Sequence, residues 1–161
     1  MKRAAIILGS DSDMPVAEKA IAVFKSLDID YTAHIMSAHR TPRRVAEFAQ
    51  GAEQNGYGCI ICFAGKAAHL AGAVAANTVL PVIGVPIKGS DLGGMDALLS
   101  TVQMPSGVPV ACVAIDGGAN AAWLAARLLA VGDSELRQKL HAAAKDMEQA
   151  VIEKDRRIFG E

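Results

Sequence analysis

Short apolar runs alternate with amphipathic periods from one end of the chain to the other. Residues 4–8 form an apolar run closed by Gly9. Ala17, Ala20, Ile21, Phe24 and Leu27 follow at the i, i+3, i+4, i+7 spacing of a helix, with Pro15 suited to its first turn. Residues 31–36 read as a second strand. Thr41-Pro42 reads as the N-cap and first residue of a second helix, with Val45, Phe48, Ala49 and Ala52 as its buried stripe. The alternation then repeats. Strands are expected at residues 58–64, 81–85 and 109–115, and helices at residues 67–77, 95–104 and 119–131. Strands that are apolar throughout belong to a parallel sheet covered on both faces, because each crossover lays a helix on the sheet. No linker, repeat or low-complexity tract divides the chain, so the expectation is one doubly wound α/β domain over residues 1–161.

The last segment follows a different rule. Asp133-Ser134 caps a helix expected to run to about Ile158, roughly 37 Å at 1.5 Å per residue. Leu136, Leu140, Ala143, Met147 and Ala150 are spaced 4, 3, 4, 3, which makes a narrow seam. Residues 1–132 are thus read as the sheet-and-helix core, and residues 133–159 as a helix that projects and docks on another subunit. The alternative is a helix folded back on its own domain.

Composition removes several function classes. Hydrophobic residues are 52% and charged residues 20%, which excludes a disordered chain, and the abundance of alanine calls for close packing on small side chains. Sixteen Lys and Arg against seventeen Asp and Glu leave a formal charge of -1, so no global basic field is available for nucleic acid. Met1-Lys2-Arg3 and the short run after it do not make a signal peptide. The longest apolar stretch, residues 67–87, is broken by His69, Asn77, Thr78, Pro81 and Pro86, which argues against a membrane span. Cys59 and Cys62 have redox-motif spacing but lie in an apolar strand, where residues three apart face opposite ways, so they read as inert core thiols. No His or Cys spacing suits zinc. The chain reads as a soluble, cytoplasmic protein that catches any anion at a local site.

That site belongs beyond the carboxyl ends of the strands, where ligands bind in open parallel sheets. The loops there are Gly9-Ser10-Asp11-Ser12-Asp13, Ser37-Ala38-His39-Arg40-Thr41-Pro42, Ala64-Gly65-Lys66-Ala67-Ala68-His69-Leu70 and Lys88-Gly89-Ser90-Asp91-Leu92-Gly93-Gly94. Two of the four histidines and several hydroxyls converge on one sheet edge. The first loop is either a turn with a helix cap, or a site where Ser10 and backbone amides hold phosphate while Asp13 accepts from sugar hydroxyls. It is neither a GxGxxG nor a Walker loop, so no dinucleotide or ATP is indicated. Arg40 can fork onto phosphate oxygens and Ser37 can donate to them. Arg43 and Arg44 read as solvated, and His34 and His141 as structural. His69 reads either as a packed histidine or as a chemical one.

Gly9-Ser10-Asp11-Ser12-Asp13, Ser37-Ala38-His39-Arg40-Thr41-Pro42 and Ala67-Ala68-His69-Leu70, together with Val102-Gln103-Met104-Pro105-Ser106-Gly107-Val108-Pro109-Val110, closely resemble the N5-carboxyaminoimidazole ribonucleotide mutases, the catalytic subunits of the bacterial phosphoribosylaminoimidazole carboxylase step of purine synthesis. The resemblance runs in order over almost the whole chain. It implies a flavodoxin-like three-layer αβα domain with a five-stranded parallel sheet, assembled as a homo-octamer through the terminal helix. It also implies an isomerase that moves a carboxylate from the exocyclic nitrogen to ring carbon four without metal, ATP or cofactor. Its substrate would come from an ATP-dependent synthetase. Ser10, Asp13 and Arg40 would contact the ribonucleotide, with Ser37 at the phosphate. His39 would be the catalytic acid–base. Ala64, Gly65, Lys66, His69 and Leu70 would lie over the base and its carboxyl group. Lys66 departs from the glycine or apolar residue common in that family, and Ala71 from a frequent proline. Lys66 either adds charge near the migrating carboxylate or extends to solvent. Two rivals stand beside this reading. One is the related carboxylase acting on free aminoimidazole ribonucleotide, which tends to carry Lys where Arg40 stands and lacks the Ala-Ala-His-Leu loop. The other is a non-catalytic nucleotide-binding module on the same scaffold.

Overall fold

The five apolar runs form one parallel sheet. A computed structural model describes residues 2–89 and 91–160; Met1 and Ser90, both named above, and Glu161 lie outside the described residues. The strands are β1 (Arg3–Leu8), β2 (Tyr31–Ile35), β3 (Tyr57–Gly65), β4 (Val82–Ile87) and β5 (Ala111–Cys112), in the order β2-β1-β3-β4-β5. Every pair is parallel. The helices are α1 (Met14–Ser26), α2 (Pro42–Gly51), α3 (Leu70–Ala75), α4 (Met95–Val102), α5 (Gly118–Leu129) and α6 (Ser134–Phe159). This is the flavodoxin-like order. Because crossovers are right-handed, the reversal of direction after β2 sends α1 to one face and α2 to α4 to the other.

Each face has its own core. On one, Ile6, Leu8, Ile61 and Phe63 pack against Ala17, Ala20 and Phe24 of α1 and the four alanines Ala121, Ala122, Ala125 and Ala126 of α5. On the other, Ile7, Ile60 and Val82 pack against Val45 and Ala49 of α2 and Leu70 and Val74 of α3. Strand parity separates the two strand cysteines as expected: Cys59 belongs to the first core and Cys62 to the second. Burial pushes the Cys59 thiol up to about 12 and the Cys62 thiol upward as well, so neither ionises near neutral pH.

Three expectations are corrected. The fifth strand is regular only at Ala111–Cys112, not over residues 109–115. Val113 N still donates to Gly84 O and Asp116 N to Pro86 O, so the pairing continues loosely. A parallel strand points a residue's N–H and C=O to the same neighbour, and Pro86, whose carbonyl faces β5, has no N–H to extend the ladder. The third helix starts at Leu70, not Ala67, because the chain first turns through a left-handed Lys66 at φ 55. Thr41 is the N-cap residue of α2, but its hydroxyl makes no cap bond. It bonds Ser37 instead, which shapes the site.

α6 is capped as expected, with Leu136 N donating to the Asp133 carboxylate; that bond holds Asp133 below the usual carboxylate range. Leu136 is buried and Leu140 packs on the first core, but Met147 is 50% and Val151 65% exposed. The root of the helix therefore docks on its own core while the rest of the seam leaves it. Among the described residues no helix is long and apolar enough to cross a membrane.

Candidate active site

The strand order reverses between β1 and β3, and the loops leaving those two strands open a cleft of about 660 Å³. All ten residues singled out in the sequence line it: Ser10, Asp13, Ser37, His39, Arg40, Ala64, Gly65, Lys66, His69 and Leu70. Among the described residues its charged side chains are Arg40, Lys66, Lys88 and Asp13. Three cations against one carboxylate make the cleft a place for an anion.

The first loop realises the capping alternative in its geometry. The Ser10 hydroxyl accepts from Ser12 N at 3.3 Å, and the Asp13 carboxylate accepts from Ser10 N at 3.1 Å, which together form a capping box. Asp13 is only 4% exposed, and burial raises its carboxyl above the usual value against the lowering pull of bonds from Ser10, Ser12 and Gly9. A short 3-10 turn (Asp11–Asp13) leads into α1, so a shift of that helix moves this loop.

The second loop is a turn closed from residue 37 to residue 41. Thr41 N donates to Ser37 O at 2.8 Å, and the Thr41 hydroxyl donates to the same carbonyl and accepts from Ser37 N at 2.9 Å. Arg40 N donates to the Ser37 hydroxyl at 3.2 Å, and its guanidinium donates to Gly9 O at 3.1 Å. Arg40 is thereby pinned across the first loop with the rest of its donors free for a ligand's oxygens. His39 stands on the outer side of this turn. Its Nε2 lies 2.8 Å from Nδ1 of His69, with the rings edge to face at 75°. Arg43 and Arg44 are exposed, and His34 bonds the Thr32 hydroxyl, as the sequence suggested.

The third loop contributes Ala64 to Leu70. Ala68 and Leu70 are buried on either side of His69 and anchor it. Lys66 is exposed at the rim. An exposed lysine at the rim should carry little of the chemistry: Lys66→Met is expected to keep turnover and KM within about twofold of the parent. Steady-state kinetics of the variant checks this, and a larger loss would place the ammonium on the substrate.

The fourth loop, polar in sequence but outside the ten residues above, also reaches the cleft. Lys88 and Gly89 line the cleft, and Ile87 joins them. Asp116, at a left-handed φ of 55, accepts from Lys88 N at 2.9 Å and holds this lip from the segment that follows the adjacent β5. The signal for Lys88 was its place just past an apolar run; nothing local marks Asp116. Among the described residues no three His, Cys, Asp or Glu side chains group as a metal site.

Comparison with known proteins gives the family of the chain. The family model described as AIR carboxylase matches residues 3–150. A Pyrococcus horikoshii protein named N5-carboxyaminoimidazole ribonucleotide mutase is 53% identical over 95% of this chain and 86% of its own length. The Escherichia coli protein of the same name is 47% identical over 94% of this chain and 90% of its own. The crystal structure of Treponema denticola PurE superposes with a TM-score of 0.88 at 31% identity, covering 97% of this chain and 98% of that one. With the family model spanning nearly the whole sheet-and-helix core and relatives about half identical along their length, the chain belongs to the AIR carboxylase family.

Proposed function

We propose that this protein is an isomerase of purine synthesis that converts N5-carboxyaminoimidazole ribonucleotide to 4-carboxy-5-aminoimidazole ribonucleotide. The observation that carries the reading is the seating of His39 beside Arg40 in a cationic cleft at the switch point, in a chain that shares the sequence of proteins named for this reaction. Arg40 and Ser37 take the phosphate, Ser10 and Asp13 the ribose side, and Ala64, Gly65, His69 and Leu70 cover the base, with Lys66 extending to solvent at the rim.

His39 then handles the one proton the isomerisation moves. As an imidazolium it protonates the carbamate nitrogen, the C–N bond breaks, and carbon dioxide leaves behind an enamine-like ring carbon. That carbon attacks carbon dioxide to form the new C–C bond, and its hydrogen returns to the imidazole as a proton. Imidazole serves both steps because its ordinary titration range lies near neutrality. Keeping both fragments in one closed site makes recapture effectively intramolecular, an advantage of up to roughly 7–11 kcal/mol in favourable cases.

The same reading places the enzyme in the cytoplasm, fed by an ATP-dependent synthetase. The apolar residues left exposed on α6, with Ile158 at 66% and Phe159 at 75%, support docking on other subunits, and the resemblance implies a homo-octamer. Offering the purified protein the N5-carboxylated ribonucleotide without ATP tests the function. Rapid formation of the carbon-carboxylated product is expected. Turnover only with the free amine and bicarbonate would instead assign the related carboxylase reaction.

A further inference from the structure

We infer that His69 is a positioning residue for His39: it accepts a hydrogen bond from His39 Nε2 and so reserves His39 Nδ1 for the reaction's proton. This rests on the reading of His39 as the proton carrier and adds which nitrogen works and what aims it. At 2.8 Å, one hydrogen fits between His39 Nε2 and His69 Nδ1, so one ring donates and the other accepts. As the proton carrier, His39 enters the cycle as an imidazolium and donates from both ring nitrogens, so His69 Nδ1 is the acceptor of the pair.

The surrounding charges point the same way. Asp13 lines the cleft, but its carboxylate is engaged by Ser10 N and the Ser12 hydroxyl. The other charged groups of the lining, Arg40, Lys66 and Lys88, are cations that cannot accept. A base is usually oriented by a carboxylate on its second nitrogen. Here a neutral imidazole fills that place. It fixes the ring without adding a negative charge that would repel the phosphate and the migrating carboxylate. The backbone that carries each ring is held, that of His39 by the bonds between Ser37 and Thr41, and that of His69 by its main-chain N–H donating to Ala67 O at 2.8 Å. Through the cycle the Nε2 hydrogen stays on the His39–His69 axis. Nδ1–H gives its proton to the carbamate nitrogen and takes one back from the ring carbon.

The test has two arms. In resting protein labelled with 15N in histidine, NMR should show a protonated His39 Nε2 with scalar coupling to an unprotonated His69 Nδ1. No coupling, or a proton residing on His69 Nδ1, would overturn the inference, and this arm needs no substrate. In kinetics, His69→Leu should lower kcat by ~10- to 100-fold with KM within about threefold. His69→Asn, which keeps an acceptor oxygen, should recover much of that loss. A change confined to KM, or none in kcat, would leave His69 as a binding contact alone and refute the positioning role. A parent protein without turnover of the N5-carboxylated nucleotide would sink the functional reading, a result distinct from loss of the coupling.

Discussion

His39→Asn is expected to fold normally and to lose turnover by on the order of 10²-fold or more. His39 is exposed, and the side-chain bond it makes in the protein is to His69, so its removal costs about 1 kcal/mol of stability at most. Asparagine keeps a polar side chain of similar reach but cannot carry a proton in either direction. The loss should therefore fall on kcat, with KM moved little, because Arg40, Ser37 and Ser10 still grip the nucleotide. Stopped-flow or single-turnover measurements with the N5-carboxylated substrate check the magnitude, and thermal melting checks the fold. Near-parental turnover would remove His39 from the chemistry.

Gly118→Ala is expected to cost about 3 kcal/mol and to lower Tm by about 6–12 °C. A Cβ built on Gly118 would sit 2.1 Å from the carbonyl oxygen of Val16, a backbone atom of α1 that no rotamer change can move aside. Around it, Ala17, Ala20, Ala121, Ala122 and Ala125 are fully buried, so the two helices touch through small residues with no slack. α1 must back away, and the capping box of Ser10 and Asp13 at its start moves with it. Turnover should accordingly fall more than the fraction unfolded accounts for. Gly132→Ala is the control, since nothing lies within 4 Å of its added carbon; it should melt as the parent does. Equal melting of the two variants would contradict the packing described for α1 and α5.

The sheet and the location of the cleft were readable from sequence because both depend on local patterns. Period and parity placed β1 to β4 and sorted Cys59 from Cys62, and the position of polar loops after apolar runs put the site at this edge of the sheet, while the family resemblance singled out the ten residues that line the cleft. What escaped the pattern depends on partners distant in the chain. The two-residue β5 reflects the missing N–H of Pro86 on the neighbouring strand, which no feature of residues 109–115 announces. Thr41 has the side chain of a helix cap, yet spends it on Ser37, because the turn that presents His39 competes for the same hydroxyl. The approach of His39 to His69 joins residues thirty positions apart and needs both loops in place. Lys66 is helix-compatible by type but left-handed in fact, which delays α3 until Leu70.

The most direct measurement follows the carboxyl carbon itself. Substrate carrying 13C in its carbamate is turned over in excess unlabelled carbon dioxide and bicarbonate, and the product is read by 13C NMR. A cleft that holds both fragments should return product with the label retained. Product carrying unlabelled carboxylate would mean that the gas exchanges with solvent before the new bond forms, and would contradict transfer inside a closed site.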